Sequence, residues 1–208
     1  MHPISLSYTP AALAAAGLAD DVAESGGGYA LSSAAPGDGL AHIITILGNA
    51  ATNHSGKVFT ITGADADGVA QVESIAGPNG VATVATTKYF SSLTSITVSS
   101  STEADTFDLG WTDAAVSPTF PLNWKMSQFQ VALGLVLTGT INVTVQHTFD
   151  GLHGEYVLVP SWFPHSSLIA KTASADGNYA YPVTATRLLV NSASSGATVA
   201  FKIVQNTL

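Results

Sequence analysis

Thr138-Gly-Thr-Ile-Asn-Val-Thr-Val-Gln-His-Thr-Phe-Asp150 decides the fold. In this stretch Ile141, Val143, Val145, His147 and Phe149 fall on one side of an extended chain, and Asn142, Thr144, Gln146 and Thr148 on the other. A period of two belongs to a β-strand with one buried side and one wet or partner-facing side, because successive side chains point to opposite faces. The preceding run repeats the pattern. Phe129, Val131, Leu133, Leu135 and Leu137 alternate, and Gly139 supplies the hairpin turn between the two strands. Residues 187–190 and 199–204 complete the sheet.

Working towards the N-terminus, the same grammar continues. Residues 41–47 and 57–62 are apolar, β-branched runs separated by a polar turn. Asp67-Gly68 marks a hairpin between Phe59-Thr-Ile61 and residues 69–75, and Gly77-Pro-Asn-Gly80 is a further turn. Residues 81–85, Tyr89-Phe90, 94–98 and 106–111 follow as short strands. Strands of this length with such turns predict an all-β protein built as an antiparallel sandwich or sandwiches. Pro118 and Pro121 lie in an aperiodic stretch that either links two β units or crosses between sheets of one; the division expected is a first β unit over 41–117 and a second over 118–208. Residues 1–40 read as an irregular N-terminal arm that orders against a neighbouring subunit. Thr9-Pro10 is the N-cap and first position of a short helix cut off by Gly17. Ser25-Gly-Gly-Gly28 and Pro36-Gly-Asp-Gly39 are breakers.

Composition narrows the function. The chain of 208 residues is 46% apolar and 10% charged, well under the roughly 25% charge of ordinary domains. A bland, Thr- and Val-rich surface suits a protein whose faces are covered by neighbours. Fourteen acids against six bases give a net charge of −8. The bases Lys57, Lys88, Lys125, Lys171, Arg187 and Lys202 are scattered, which argues against direct nucleic-acid binding. With no cysteine there is neither a disulfide nor a thiolate metal site. Met1 to Pro10 lacks the basic-then-apolar pattern of a secretory signal, and no apolar run approaches the ~20 residues of a membrane span.

Candidate chemistry is thin. His147, His153, Glu155 and His165 lie close in sequence, but their spacing fits no compact metal pattern, and His147 falls on an apolar strand face. Asp65-x-Asp67-Gly68 superficially matches a calcium loop but lacks the later ligands, so a turn is expected. There is no Gly-x-Ser-x-Gly elbow and no phosphate loop. The reading is therefore non-enzymatic: no catalytic residues, no metal and no cofactor. Trp111, Trp124, Trp162, Phe163, Tyr179 and Tyr181 are the large rings that could anchor an interface or line a glycan platform. Trp162, Phe163, Tyr179 and Tyr181 are the interface candidates.

Four stretches, in order, resemble a family of tailed-bacteriophage virion structural proteins. They are Thr9-Pro-Ala-Ala-Leu-Ala-Ala-Ala-Gly17; Phe59-Thr-Ile-Thr-Gly-Ala-Asp-Ala-Asp-Gly68 leading into Gly77-Pro-Asn-Gly80; and Thr86-Thr-Lys-Tyr-Phe90 with Ser91-Ser-Leu-Thr-Ser-Ile-Thr97. The fourth runs from Phe129-Gln-Val-Ala-Leu133 through residues 138–150 to Lys171-Thr-Ala-Ser-Ala-Asp-Gly-Asn178 and Pro182-Val-Thr-Ala-Thr-Arg-Leu188. The resemblance spans most of the chain. It implies a component of the virion, made in the host cytoplasm, that decorates or cements the capsid or serves as a head–tail or tail accessory. Its implied partners are further copies of itself and other virion proteins such as the major capsid protein, with no membrane. The chain departs from the family between Asp150 and Trp162. There Gly151-Leu-His-Gly-Glu155 stands in place of a longer insertion rich in Asp and Phe.

Overall fold

The computed structural model of the chain describes residues 3–151 and 160–205. Those residues are all-β, with antiparallel pairing throughout and no helix. In chain order the strands are β1 (Ile4–Tyr8), β2 (Ala14–Ser25), β3 (Gly28–Tyr29), β4 (Ala41–Gly48), β5 (Val58–Ala64), β6 (Ala70–Ala76), β7 (Thr83–Phe90) and β8 (Ser92–Val98). They continue as β9 (Thr106–Val116), β10 (Phe120–Pro121), β11 (Val131–Thr138), β12 (Ile141–Thr148), β13 (Phe163–Pro164), β14 (Ala175–Tyr179), β15 (Ala185–Ala193) and β16 (Thr198–Gln205).

The strands form two compact units. One comprises Ala11–Ala115; the other joins Met1–Pro10 to Val116–Leu208. The boundary near residue 115 lies close to the expected 117, but residues 1–40 do not stand apart as an arm. Their first ten build one unit, and the next thirty build the other.

In the 11–115 unit, strands follow the path β7–β4–β9–β2–β3–β8–β5–β6 in one curled sheet. Its core is Leu18, Ile44, Ile46, Phe59, Ile61, Phe90, Ile96, Phe107 and Leu109, with Trp111 at its margin. Tyr29 stacks on Phe59, and Phe107 meets both edge-on, with ring centroids 5.4–5.7 Å apart. Tyr29 thus draws the Gly-rich 26–28 segment onto the core. The expected helix after Pro10 is absent, because residues 14–25 form β2 instead. Its small side chains admit the Trp111 ring: a Cβ on Gly17 would lie 2.3 Å from that ring, and one on Gly110 would lie 1.9 Å from the Ala14 carbonyl. Packing of a large ring against small residues overrides the helix preference of alanine. Asp21, at φ 49°, sits between register shifts of the β2–β9 pairing.

The far ends of the path, β6 and β7, come together through side chains rather than a backbone ladder. Glu73 on β6 accepts the amides of Thr87 (2.8 Å) and Lys88 (2.8 Å) and the Thr87 hydroxyl. Gln71 donates to the Tyr89 carbonyl, and Lys88 donates to the Val72 carbonyl. A single carboxylate therefore does the work of two strand carbonyls at this seam.

The other unit is a sandwich. One sheet runs β1–β16–β11–β14, and the opposing one comprises β13, β12, β15 and β10. Val131, Leu133, Leu135, Phe201 and Ile203 from the first sheet, and Val143, Val145, Leu188 and Val190 from the second, fill the interior. The alternation that opened the sequence reading is real for Ile141, Val143, Val145 and His147, all buried. Phe149 is a correction: β12 ends at Thr148, and the ring turns outward. The polar side of β12 is also less open than expected. Thr144 and Thr148 are buried by the chain itself, and Thr144 accepts the Ala170 amide at 2.9 Å. Residues 165–171 lie along β12: Val143 and Lys171 exchange backbone bonds, and Val145 donates to the Leu168 carbonyl and accepts the His165 amide.

Candidate interaction surface

At one place the two sheets of the sandwich meet over aromatic rings. Phe149 follows β12, Phe163 opens β13, Tyr179 closes β14 and Tyr181 lies two residues on. Backbone and side-chain bonds knot these segments side by side. Asp150 accepts the Ser161 amide (2.6 Å), Thr184 donates its hydroxyl to the Asp150 carbonyl (2.6 Å), and the Thr184 amide donates to the Thr148 carbonyl (3.0 Å).

His147 is the hub. Its ring centroid is 5.2 Å from Phe149, 6.1 Å from Phe163, 5.1 Å from Tyr179 and 6.2 Å from Tyr181. His147 and Tyr179 are buried, whereas Phe149, Phe163 and Tyr181 are 52, 47 and 49% exposed. The arrangement is a buried base carrying three outward rings. Phe149 lies 5.7 Å from Phe163 and 6.2 Å from Tyr181, its plane 29° from that of the Tyr181 ring. Burial lowers the His147 pKa, and the neighbouring His165 opposes a second charge. Its Nδ1 finds no hydrogen-bond partner among the described residues. Burial likewise pushes the Tyr179 phenol up.

The four sequence candidates divide. Phe163 and Tyr181 belong to the exposed cluster. Tyr179 is at 1% exposure and supports it from below. Trp162 is half-buried, with the Arg187 guanidinium 4.0 Å from its ring centroid, and Gln146 fixes Arg187 by accepting its Nε–H at 2.8 Å. Trp162 is thus capped by a cation from its own unit. Phe149 was missed because the alternation assigned it to the core. The Asp150-Gly151 turn directly after it was the available signal that the strand ends there.

The metal candidates do not converge among the described residues. Both ring nitrogens of His165 are engaged: Nε2 donates to the Asn178 carbonyl at 3.1 Å, and Nδ1 accepts the Ser167 amide at 3.2 Å. His153 and Glu155 lie outside the described residues. Described His, Asp and Glu side chains form no group of three with metal-binding geometry. Asp65 is a turn residue, accepting the amides of Asp67 and Val69 at 2.9 Å each, with Gly68 at φ 79°. A shallow depression of about 550 Å³ is lined by Met126, Ser127, Gln128, Phe129, Gln130 and Pro182, none of them titratable. Among the described residues no helix is long and apolar enough to cross a membrane.

Two histidines of the 11–115 unit hold local structure. His42 Nδ1 meets the Thr112 carbonyl at 2.9 Å, and Nε2 meets Asp38 at 2.8 Å. Both partners are oxygen atoms, so the ring ties the Asp38 carboxylate to the Thr112 backbone. His54 Nε2 donates to Asp105 at 2.9 Å. No family model, curated protein or solved structure matches the chain.

Proposed function

We propose that the chain is a non-enzymatic structural component of a tailed-phage particle, decorating or cementing the capsid through protein–protein contacts. The observation that carries this reading is the outward cluster of Phe149, Phe163 and Tyr181 on the buried His147–Tyr179 base. Clustered exposed rings anchor interfaces, since each brings a large apolar area at little conformational cost. Burial returns ~25 cal/mol per Å² of apolar surface, offset by association entropy. The ordered motifs that resemble virion proteins support the particle, and the low surface charge suits close packing among copies. The same contacts serve a head–tail or tail accessory, the alternative placement.

Purified particles test the reading. The chain should be present in copy number matching the capsid lattice, and Phe163→Ser with Tyr181→Ser should abolish its incorporation while leaving the fold intact by circular dichroism. Absence from the particle, or normal incorporation of the double variant, counts against it. A copy number matching the tail symmetry instead selects the accessory placement. The half-exposed Phe149 and Tyr181, whose ring faces lie 29° from parallel, also favour a second reading, a carbohydrate-binding β-sandwich module. Sugar rings stack on such faces. Retention on a glycan array, lost in Tyr181→Ser, would select it.

A further inference from the structure

The edge of β16 is a strand-acceptor site, and its occupant is visible. Ile4 pairs with Ile203, Ser5 with Lys202, Leu6 with Phe201, Ser7 with Ala200 and Tyr8 with Val199. Ile4, Leu6 and Tyr8 are half-buried and alternate with exposed Ser5 and Ser7, so β1 presents one apolar and one hydroxyl face to the pleat. On β16, the facing Val199, Phe201 and Ile203 are fully buried. Ser117 hydrogen-bonds the Tyr8 hydroxyl and fixes the end of the pairing.

The donor strand is joined in sequence to the wrong unit. After Pro10 the chain enters the 11–115 unit and returns to the sandwich only at Val116. Residues 9–13 carry no regular secondary structure, and Pro10 restricts Thr9 before it to extended backbone. Every bond between β1 and β16 is the same whether the strand comes from the same chain or from another copy. Only hinge geometry and local concentration distinguish the two.

We propose that β1 exchanges between copies: Ile4–Tyr8 of one chain completes the sandwich of the next, linking copies through the β16 edge. Exchange needs no new interface, and crowding of copies at about millimolar effective concentration favours it. The inference stands apart from the particle reading, since it concerns only how copies of this chain join one another.

The chain has no cysteine, so an engineered pair reports cleanly. Ser7 and Ala200 face each other in register. Cα separations of about 4.5–5.5 Å in such pairs lie within disulfide reach. The Ser7→Cys and Ala200→Cys chains are mixed at about millimolar concentration and oxidised. A mixture of Ser7→Cys with Lys202→Cys, which is out of register, measures random collision. The expected result is a cross-linked heterodimer in the first mixture, in several-fold excess over the control, with the 7–200 peptide identified by mass spectrometry. In the Ser7→Cys/Ala200→Cys double variant, covalent dimers and higher multiples should appear on a non-reducing gel. Closure of the double variant wholly within single chains, or heterodimer at the control level, overturns the proposal.

Discussion

Asp38 shows how one carboxylate organises a loop. Burial alone would raise its pKa, but His42 and the amides of Ala11 and Leu40 outweigh that and hold it below the ordinary Asp range. A depressed carboxylate contributes stability that is complete above its unfolded pKa of about 3.9 and disappears as pH falls through the lower folded value. Asp38→Asn should therefore melt well below wild type at pH 7, with the gap closing as a thermal melt series descends into strong acid. His147 titrates in the same sense but in another window. Its folded pKa lies below the unfolded value of about 6.5, so the sandwich keeps its full stability above that pH and loses part of it as pH falls from there towards the lower folded value, where the unfolded chain binds a proton that the buried ring does not. His147→Phe should flatten the melting temperature between neutrality and pH 5, and a retained slope would place the titrating group elsewhere. At this scale the sequence was only half legible. Phe163 and Tyr181, singled out from the sequence only as large rings, stand half-exposed at the surface. Tyr179, two residues from Tyr181, shares its parity but lies inside the last strand position of β14 and is buried. Phe149 carries the opposite error for the same reason, because alternation gives a face but not the residue at which a strand stops.

Among the elements, the β6–β7 seam is the one held by side chains. Glu73 accepts two backbone amides and a hydroxyl, and hydrogen bonds to a charged acceptor are worth about 1.5–3 kcal/mol each where water is excluded. The seam is exposed, so the low end applies. Glu73→Ala should cost about 1–2 kcal/mol and speed hydrogen exchange at the Thr87 and Lys88 amides, leaving β11 and β12 protected as before. Unchanged exchange at those two amides would show that the seam closes without the carboxylate. In the sequence Glu73 is one acid within the expected 69–75 strand. Its partners lie fourteen and fifteen residues away on a strand with no local signal for the contact. β11 and β12 were legible because both show a strict period of two across a glycine turn. β2 was not, since an alanine run favours a helix until Trp111, ninety-odd residues later, packs across it.

At the level of the whole molecule, division into units could be read near residue 116 but not at Pro10. The boundary at 116 falls just before two prolines and a loss of periodicity. Pairing of the first strand with the last has no local signature, because Ile4–Tyr8 is a plain alternating pentapeptide that several strand edges could accept. Deleting residues 1–8 should expose β16, raise hydrogen exchange along it and lower the sandwich melting temperature, with the 11–115 core unaffected. A synthetic peptide of residues 1–10 added in trans should restore protection. If it restores none, β1 contributes little beyond covering the edge.

Ile4 opposite Ile203 also places the start of β1 beside the close of β16, the first and last described strands. A short linker could therefore splice them, and the chain could be reopened at the Asp67-Gly68 turn, where the side chains hold no core position. Such a circular permutant would keep the strand neighbours of the sandwich sheet while moving any genetically fused cargo to the rim of the curled sheet.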